Sequence, residues 1–126
     1  MEGEPDGVLA RLVREAGDEP DAKLLEEAAN AGDAAAEAAI RLAGRYLGAG
    51  LTNLVDIFNP QVVVLGGSLR KLGERYIGVA VEVMQREAYP QHARDVSIVD
   101  AKLGDEAPAV GAAMVALEML AADARR

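Results

Sequence analysis

Along most of the chain the apolar residues recur every three or four positions, whereas Val62–Leu65, between Asn59-Pro60 and Gly66-Gly67, and Val96-Ser97-Ile98-Val99 are short apolar stretches without that period. The first pattern predicts amphipathic helices and the second short strands. Residues 7–16 carry Val8, Leu9, Leu12 and Val13 on one face, a short helix closed by Gly17-Asp18-Glu19-Pro20, whose packing partner the pattern does not reveal. Pro20 or Asp21 opens a second helix with Leu24, Leu25, Ala28 and Ala29 inward, stopped by Asn30-Ala31-Gly32. Asp33 then suits the N-cap of a long helix reaching about Phe58, roughly 38 Å of helix at 1.5 Å per residue. Its apolar stripe is Ile40, Ala43, Leu47, Leu51, Leu54, Val55 and Phe58. Gly44, Gly48 and Gly50 interrupt this helix at roughly 0.8–1 kcal/mol each against alanine, which predicts another backbone passing close by.

Asn59-Pro60 ends the long helix, because proline disfavours helical dihedrals in the residue before it. Val62–Leu65 shows no alternation and is expected to be a strand covered on both faces, as in a parallel sheet. Gly66-Gly67-Ser68 is the turn at its carboxyl end. The next helix, to about Glu87, is expected to bury Leu72, Tyr76, Val79, Ala80 and Val83, and Tyr89-Pro90 breaks it. A polar connector holding His92 and Asp95 leads to the second strand at 96–99. Strand, helix, strand in this order normally closes right-handed and parallel. Gly104-Asp105-Glu106 turns into a final helix with Pro108 in its first turn, and Gly111-Ala112-Ala113 gives that helix a small-residue face ahead of Val115, Leu117 and Leu120. The whole chain, 1–126, reads as a single partial domain made of an acidic helical leader, 1–21, and a main segment, 22–126.

Composition narrows what such a unit can do. Ala, Val and Leu dominate an apolar half that holds one Phe and no Trp, so close helix contacts are expected in place of aromatic stacking. The net charge of −8 lies entirely in residues 1–40, where eleven acids meet Arg11, Arg14 and Lys23, while the remainder balances ten acids against ten bases. That leading segment would repel a phosphate backbone, so no direct nucleic-acid contact by this chain is expected. No apolar run approaches the ~20 residues of a membrane span, and the acidic Met1-Glu2-Gly3-Glu4 lacks a signal peptide's regions, so a cytoplasmic location is expected. With no cysteine and only His92 as imidazole, no metal site is expected.

Ligands of open α/β sheets bind outside the carboxyl ends of the strands, which is where Gly66 and Gly67 fall. Two glycines there permit positive φ and let a flat ligand lie on bare backbone; a plain strand-to-helix turn would use them as well. Neither a Walker pattern nor G-x-G-x-x-G is present. Ser68 has no neighbouring base and no nucleophile-elbow pattern, which leaves it as a helix cap or a polar ligand contact. His92 and Asp95 read as a solvated loop, and the pairs Glu26-Glu27 and Asp105-Glu106 as solvated helix ends. The residues themselves show no catalytic set.

The stretch from Leu47 through Gly48, Leu51, Asn53, Asp56, Asn59, Pro60 and Val62-Val63-Val64-Leu65 to Gly66-Gly67-Ser68, followed later by Val110-Gly111-Ala112-Ala113, closely resembles the carboxyl-terminal part of the ROK family. The resemblance runs from about residue 22 to 121. That family takes in bacterial sugar kinases, transcriptional repressors and uncharacterised members. The resemblance implies an α/β fold, the carboxyl-terminal part of a ribonuclease-H-like lobe of the actin-like ATPase kind, helix-rich with a short parallel sheet. Gly66 and Gly67 resemble the family's adenosine motif and Gly111-Ala112-Ala113 its second connecting helix, while Ser68 stands where the kinases often have a third glycine. The family's phosphate loop, catalytic aspartate motif, sugar-binding residues and zinc cluster have no counterpart here.

The resemblance therefore implies a piece of a ROK protein with no catalytic residue, no metal and no cofactor of its own, and with Gly66, Gly67 and Ser68 as the nucleotide-contacting positions. Arg86-Glu87-Ala88-Tyr89-Pro90 and Ala93-Arg94-Asp95-Val96 look more like ROK repressors of high-GC bacteria, as does Ser68. A sugar-responsive regulator is then expected, with this segment as scaffold and oligomerisation surface. In the alternative, a glucokinase-like parent, the segment supplies the adenosine side of an ATP cleft; a stand-alone short protein acting by association is the third reading. The expected partners are a second copy of the chain and the remainder of a ROK protein. The apolar edge of 62–65 and the face of Gly44, Gly48 and Gly50 are the surfaces expected to self-associate.

Overall fold

The computed structural model describes residues 7–17 and 21–125, and Asp33 shows how its helical half is joined. Helix α1 spans Val8–Ala16, α2 Ala22–Asn30 and α3 Ala34–Phe58. Asp33 Oδ1 accepts the Ala36 N–H at 3.0 Å, capping α3 as expected. Its Oδ2 accepts the Leu9 N–H at 2.8 Å, so the same carboxylate also caps α1 from 24 residues away. Those two backbone donors, Leu9 first, hold its pKa below the ordinary aspartate value. Val8, Leu9 and Leu12 pack onto a cluster of Ala28, Ala29, Ala36, Ile40 and Leu72, which supplies the partner that periodicity did not reveal. Asp21 opens α2, its side chain accepting the Leu24 N–H at 2.9 Å. Pro20, the other candidate, lies outside the described residues, as do 1–6 and 18–19 of the acidic leader.

Helix α3 crosses α4, which spans Ile77–Glu87, and the glycines decide how closely. A Cβ at Gly44 would stand 2.7 Å from the Tyr76 carbonyl oxygen, and one at Gly48 2.6 Å from Val83 Cβ and 2.8 Å from the Ala80 carbonyl oxygen. The expected close passage is therefore real at both positions, and it is made within the chain. It is not available as a self-association surface. Gly50 departs from the expectation, since nothing lies within 4 Å of its Cβ position. The buried stripe runs Ala36, Ile40, Gly44, Gly48, Leu51, Val55; Leu54 and Phe58, expected inward, are 39% and 74% exposed. The glycine contact sets the inward direction of α3 and turns those two side chains away from it.

Asn59, at φ 45°, closes α3 in the left-handed conformation. Strand β1, Val62–Leu65, pairs in parallel with β2, Ser97–Asp100, with Val62 opposite Ser97 and Leu65 opposite Asp100. The second strand begins one residue later than expected because the Val96 N–H is taken by the His92 carbonyl. Val63 points into the main core with Leu51, Val55, Ala80, Met84 and Ala88, where a fully buried Val or Met contributes about 1.5–3 kcal/mol. Coverage of β1 on both faces is not what the structure shows: Val62 and Val64, on the other side of the pleat, are 53% and 61% exposed.

The single helix expected between the strands is two pieces. A 3-10 segment, Ser68–Arg75, breaks at Gly73, whose φ of 62° no helix admits, before α4 begins. The polar connector is a short helix, α5, Pro90–Asp95, with proline in its first turn. His92 is not a solvated loop residue there. Asp56 Oδ1 accepts the Tyr89 N–H at 3.0 Å and lies 3.2 Å from His92 Nδ1, tying α5 to the end of α3. The last helix, α6, Ala107–Asp123, is apolar nearly all round and has no buried residue.

Candidate functional site

The carboxyl ends of the two strands meet a pair of glycine turns. After Leu65 the Ala101 N–H donates to the Leu65 carbonyl at 2.8 Å, extending the ladder one step and placing Ala101 against Gly66, whose Cβ position is 3.9 Å from Ala101 Cβ. Gly67 takes φ 90° and ψ 166°, a conformation that strains any L side chain, and no atom lies within 4 Å of its Cβ position. The backbone there is bare. Ser68 starts the 3-10 segment and is exposed, and its hydroxyl caps nothing. All three sequence-predicted residues thus sit together at the strand ends. The Gly111-Ala112-Ala113 face does not join them, being exposed with nothing within 4 Å of the Gly111 Cβ position.

Arg70 is the residue that sequence reasoning missed. It lies one turn beyond Gly67, and its Nη2 stands 2.9 Å from where a Cβ of Gly104 would be. Gly104, at φ 58°, belongs to the 3-10 turn Gly104–Glu106 after β2, so the guanidinium reaches across the ends of both strands. Its Nε is buried and has no hydrogen-bond partner. The available signal was an arginine three residues past a Gly-Gly pair and a second glycine turn after the next strand. Spacing alone does not bring the two together.

Among the described residues no three His, Cys, Asp or Glu side chains gather as a metal would need. What the arrangement can do is receive a flat or anionic group on bare backbone beside one guanidinium. A second concavity, between α3 and α4, is lined by Leu42, Arg45, Tyr46, Ala49, Val83, Arg86 and Glu87 and holds about 290 Å³. Among the described residues no helix is long and apolar enough to cross a membrane.

Comparison with known proteins gives these features a setting. Residues 6–119 match the model of the ROK family. The chain is 32% identical over 75 residues to the xylose repressor of Bacillus spizizenii, covering 60% of this chain and 20% of that protein. It is 31% identical over 90 residues to a glucokinase of Halalkalibacterium halodurans, covering 71% of this chain and 27% of that one. The chain thus spans about a fifth to a quarter of the length of these relatives. Among solved structures, a protein of Cytophaga hutchinsonii described as a sugar kinase superposes with a TM-score of 0.68 at 21% identity, over 87% of this chain and 40% of that one. A ROK family transcriptional regulator, a homologue of the Escherichia coli Mlc protein, gives 0.59 at 26% identity over 75% and 26%. The fold is therefore part of an actin-like ATPase lobe, helix-rich with a short parallel sheet.

Proposed function

The chain belongs to the ROK family, and from that membership we propose that it is the carboxyl-terminal segment of a sugar-responsive transcriptional regulator, serving as scaffold and self-association surface. The observation that carries this reading is its likeness to repressors of several bacteria, the xylose repressor of Caldicellulosiruptor bescii at 33% identity over 95 residues and the Escherichia coli repressor Mlc at 28% over 89 among them. The exposed Val62 and Val64 face of β1 is the surface offered to a second copy or to the rest of the protein.

A kinase parent is the second reading, favoured by the glucokinase likeness and by the open Gly66-Gly67 turn. In either case Gly66, Gly67 and Ser68 are read as a contact for an adenine nucleotide, bound no more tightly than about millimolar because one wall buries only part of a ligand. The test uses a longer protein that contains this chain. A regulator should retard a DNA fragment from its own promoter and release it on addition of one sugar from a panel of pentoses and hexoses. Sugar-dependent consumption of ATP with no DNA retardation would overturn the regulator reading in favour of the kinase.

A further inference from the structure

We infer that Arg70 recognises a phosphate group on the ligand that lies over Gly66 and Gly67, an inference that rests on reading this turn as a nucleotide contact. A guanidinium stays charged at any physiological pH and carries five donors in a fixed fork. Here one of them, Nε, is sealed from solvent with no acceptor, whereas Arg41 and Arg75 both reach the Glu37 carboxylate, at 3.0 Å each. A buried donor without a partner is unfavourable, and a charged one more so, so this side chain is held in a state that an anion would improve.

The surroundings say where that anion comes from. Arg70 lies over the Gly104 turn, its Nη2 standing 2.9 Å from the position a Cβ of Gly104 would take. Apart from its own chain neighbours, no atom lies within 4 Å of the Cβ position of Gly67. A phosphate set between the two turns would take two donors of the fork as a bidentate pair, a geometry that suits guanidinium and that an ammonium cannot reproduce. Both glycines lie at the carboxyl ends of parallel strands, where α/β sheets take their ligands. The flat part of the ligand then rests on Gly66-Gly67 and its phosphate on Arg70.

Titration of the full chain with adenosine, AMP and inorganic phosphate, followed through the backbone amide signals of Gly66, Gly67 and Gly104, tests this. AMP should bind about tenfold or more tightly than adenosine, as a charge-assisted pair implies. Arg70→Met should bring AMP down to the level of adenosine and leave adenosine unchanged, while Arg70→Lys keeps part of the difference. Phosphate alone should shift Gly104, and Arg70→Met should abolish that shift. Because the replacement removes an unpaired buried donor, Arg70→Met should melt no lower than the wild type. Equal affinity for AMP and adenosine, an AMP preference that survives Arg70→Met, or a melting point lowered by it would overturn the inference while leaving the nucleotide reading intact. No binding of adenosine or AMP would remove that reading and this inference with it.

Discussion

Helices α3 and α6 are built from similar residues and meet opposite fates. Both are rich in alanine and carry glycine in their interior, yet α3 buries six residues against its neighbours and α6 buries none. The difference lies in what the rest of the chain presents. Gly44 and Gly48 face Tyr76, Val79, Ala80 and Val83 of the α4 region, so their lack of a side chain becomes close packing. Gly111 faces open space. A small-residue stripe is half of a contact, and a helix that is apolar all round is stable only where other polypeptide covers it.

The sharpest way to break this comparison is to add one methyl group in three places. Gly48→Ala forces a Cβ to 2.6 Å from Val83 Cβ and 2.8 Å from a backbone oxygen, and α4 has to move; overpacking of this kind costs about 1–3 kcal/mol or more, against a helix-propensity gain of about 1. A net loss of roughly 1–2 kcal/mol is expected as a lower urea midpoint. Gly50→Ala in the same helix and Gly111→Ala in α6 meet nothing and should instead gain up to about 1 kcal/mol each. Equal shifts of one sign at all three positions would show that the α3 and α4 backbones do not touch.

These positions also show what could be read without coordinates. The interrupted stripe of α3, its Asp33 cap, the Asn59-Pro60 stop and the strand before Gly66-Gly67 follow from local rules: propensity, capping and the proline constraint. The sequence predicted a close backbone at Gly44, Gly48 and Gly50 alike, and only the crossing position of α4 separates the first two from the third. The same holds for Phe58, which fits the periodic stripe and is nonetheless turned out, and for His92, which meets Asp56 from 36 residues away. Arg70 and Gly104 belong to one site by tertiary placement, and no spacing rule joins them.

A smaller effect separates the two functions of Asp33. Arg and Lys give it no help; the Leu9 and Ala36 amides do. Asp33→Ala removes the caps of α1 and α3 together and should lower the denaturation midpoint, though by less than an overpacked Gly48. Asp33→Asn keeps an oxygen for one amide and should fall between. Because the folded-state pKa is depressed below the ordinary value, the stabilisation is fully present above the ordinary aspartate range of about 3.9 and is lost as pH falls through and below it. Measured from neutral pH downward, stability of the wild type should drop toward that of Asp33→Ala. An acid limb unchanged by the substitution would mean that Asp33 does not hold the two helices.

The least perturbing change for the folded body should fall on α6. Leu117 and Leu120 are 61% and 68% exposed, so replacing both with serine removes little buried apolar surface and should move the unfolding midpoint by no more than about 0.5 kcal/mol. The same pair in the α3–α4 core, at Leu51 or Met84, would cost several times more, because those side chains are 3% and 1% exposed and leave a cavity. Serine at 117 and 120 should nevertheless change the molecule's behaviour in solution. Val110, Met114, Val115, Met119 and the two leucines are all exposed along α6, and apolar side chains exposed in such number drive association. Light scattering of the wild-type chain at micromolar concentration should report a mass of at least twice 13.2 kDa, and the doubly substituted chain a smaller one. If the midpoint falls sharply while the mass stays the same, α6 packs within its own chain, and the contrast with α3 disappears.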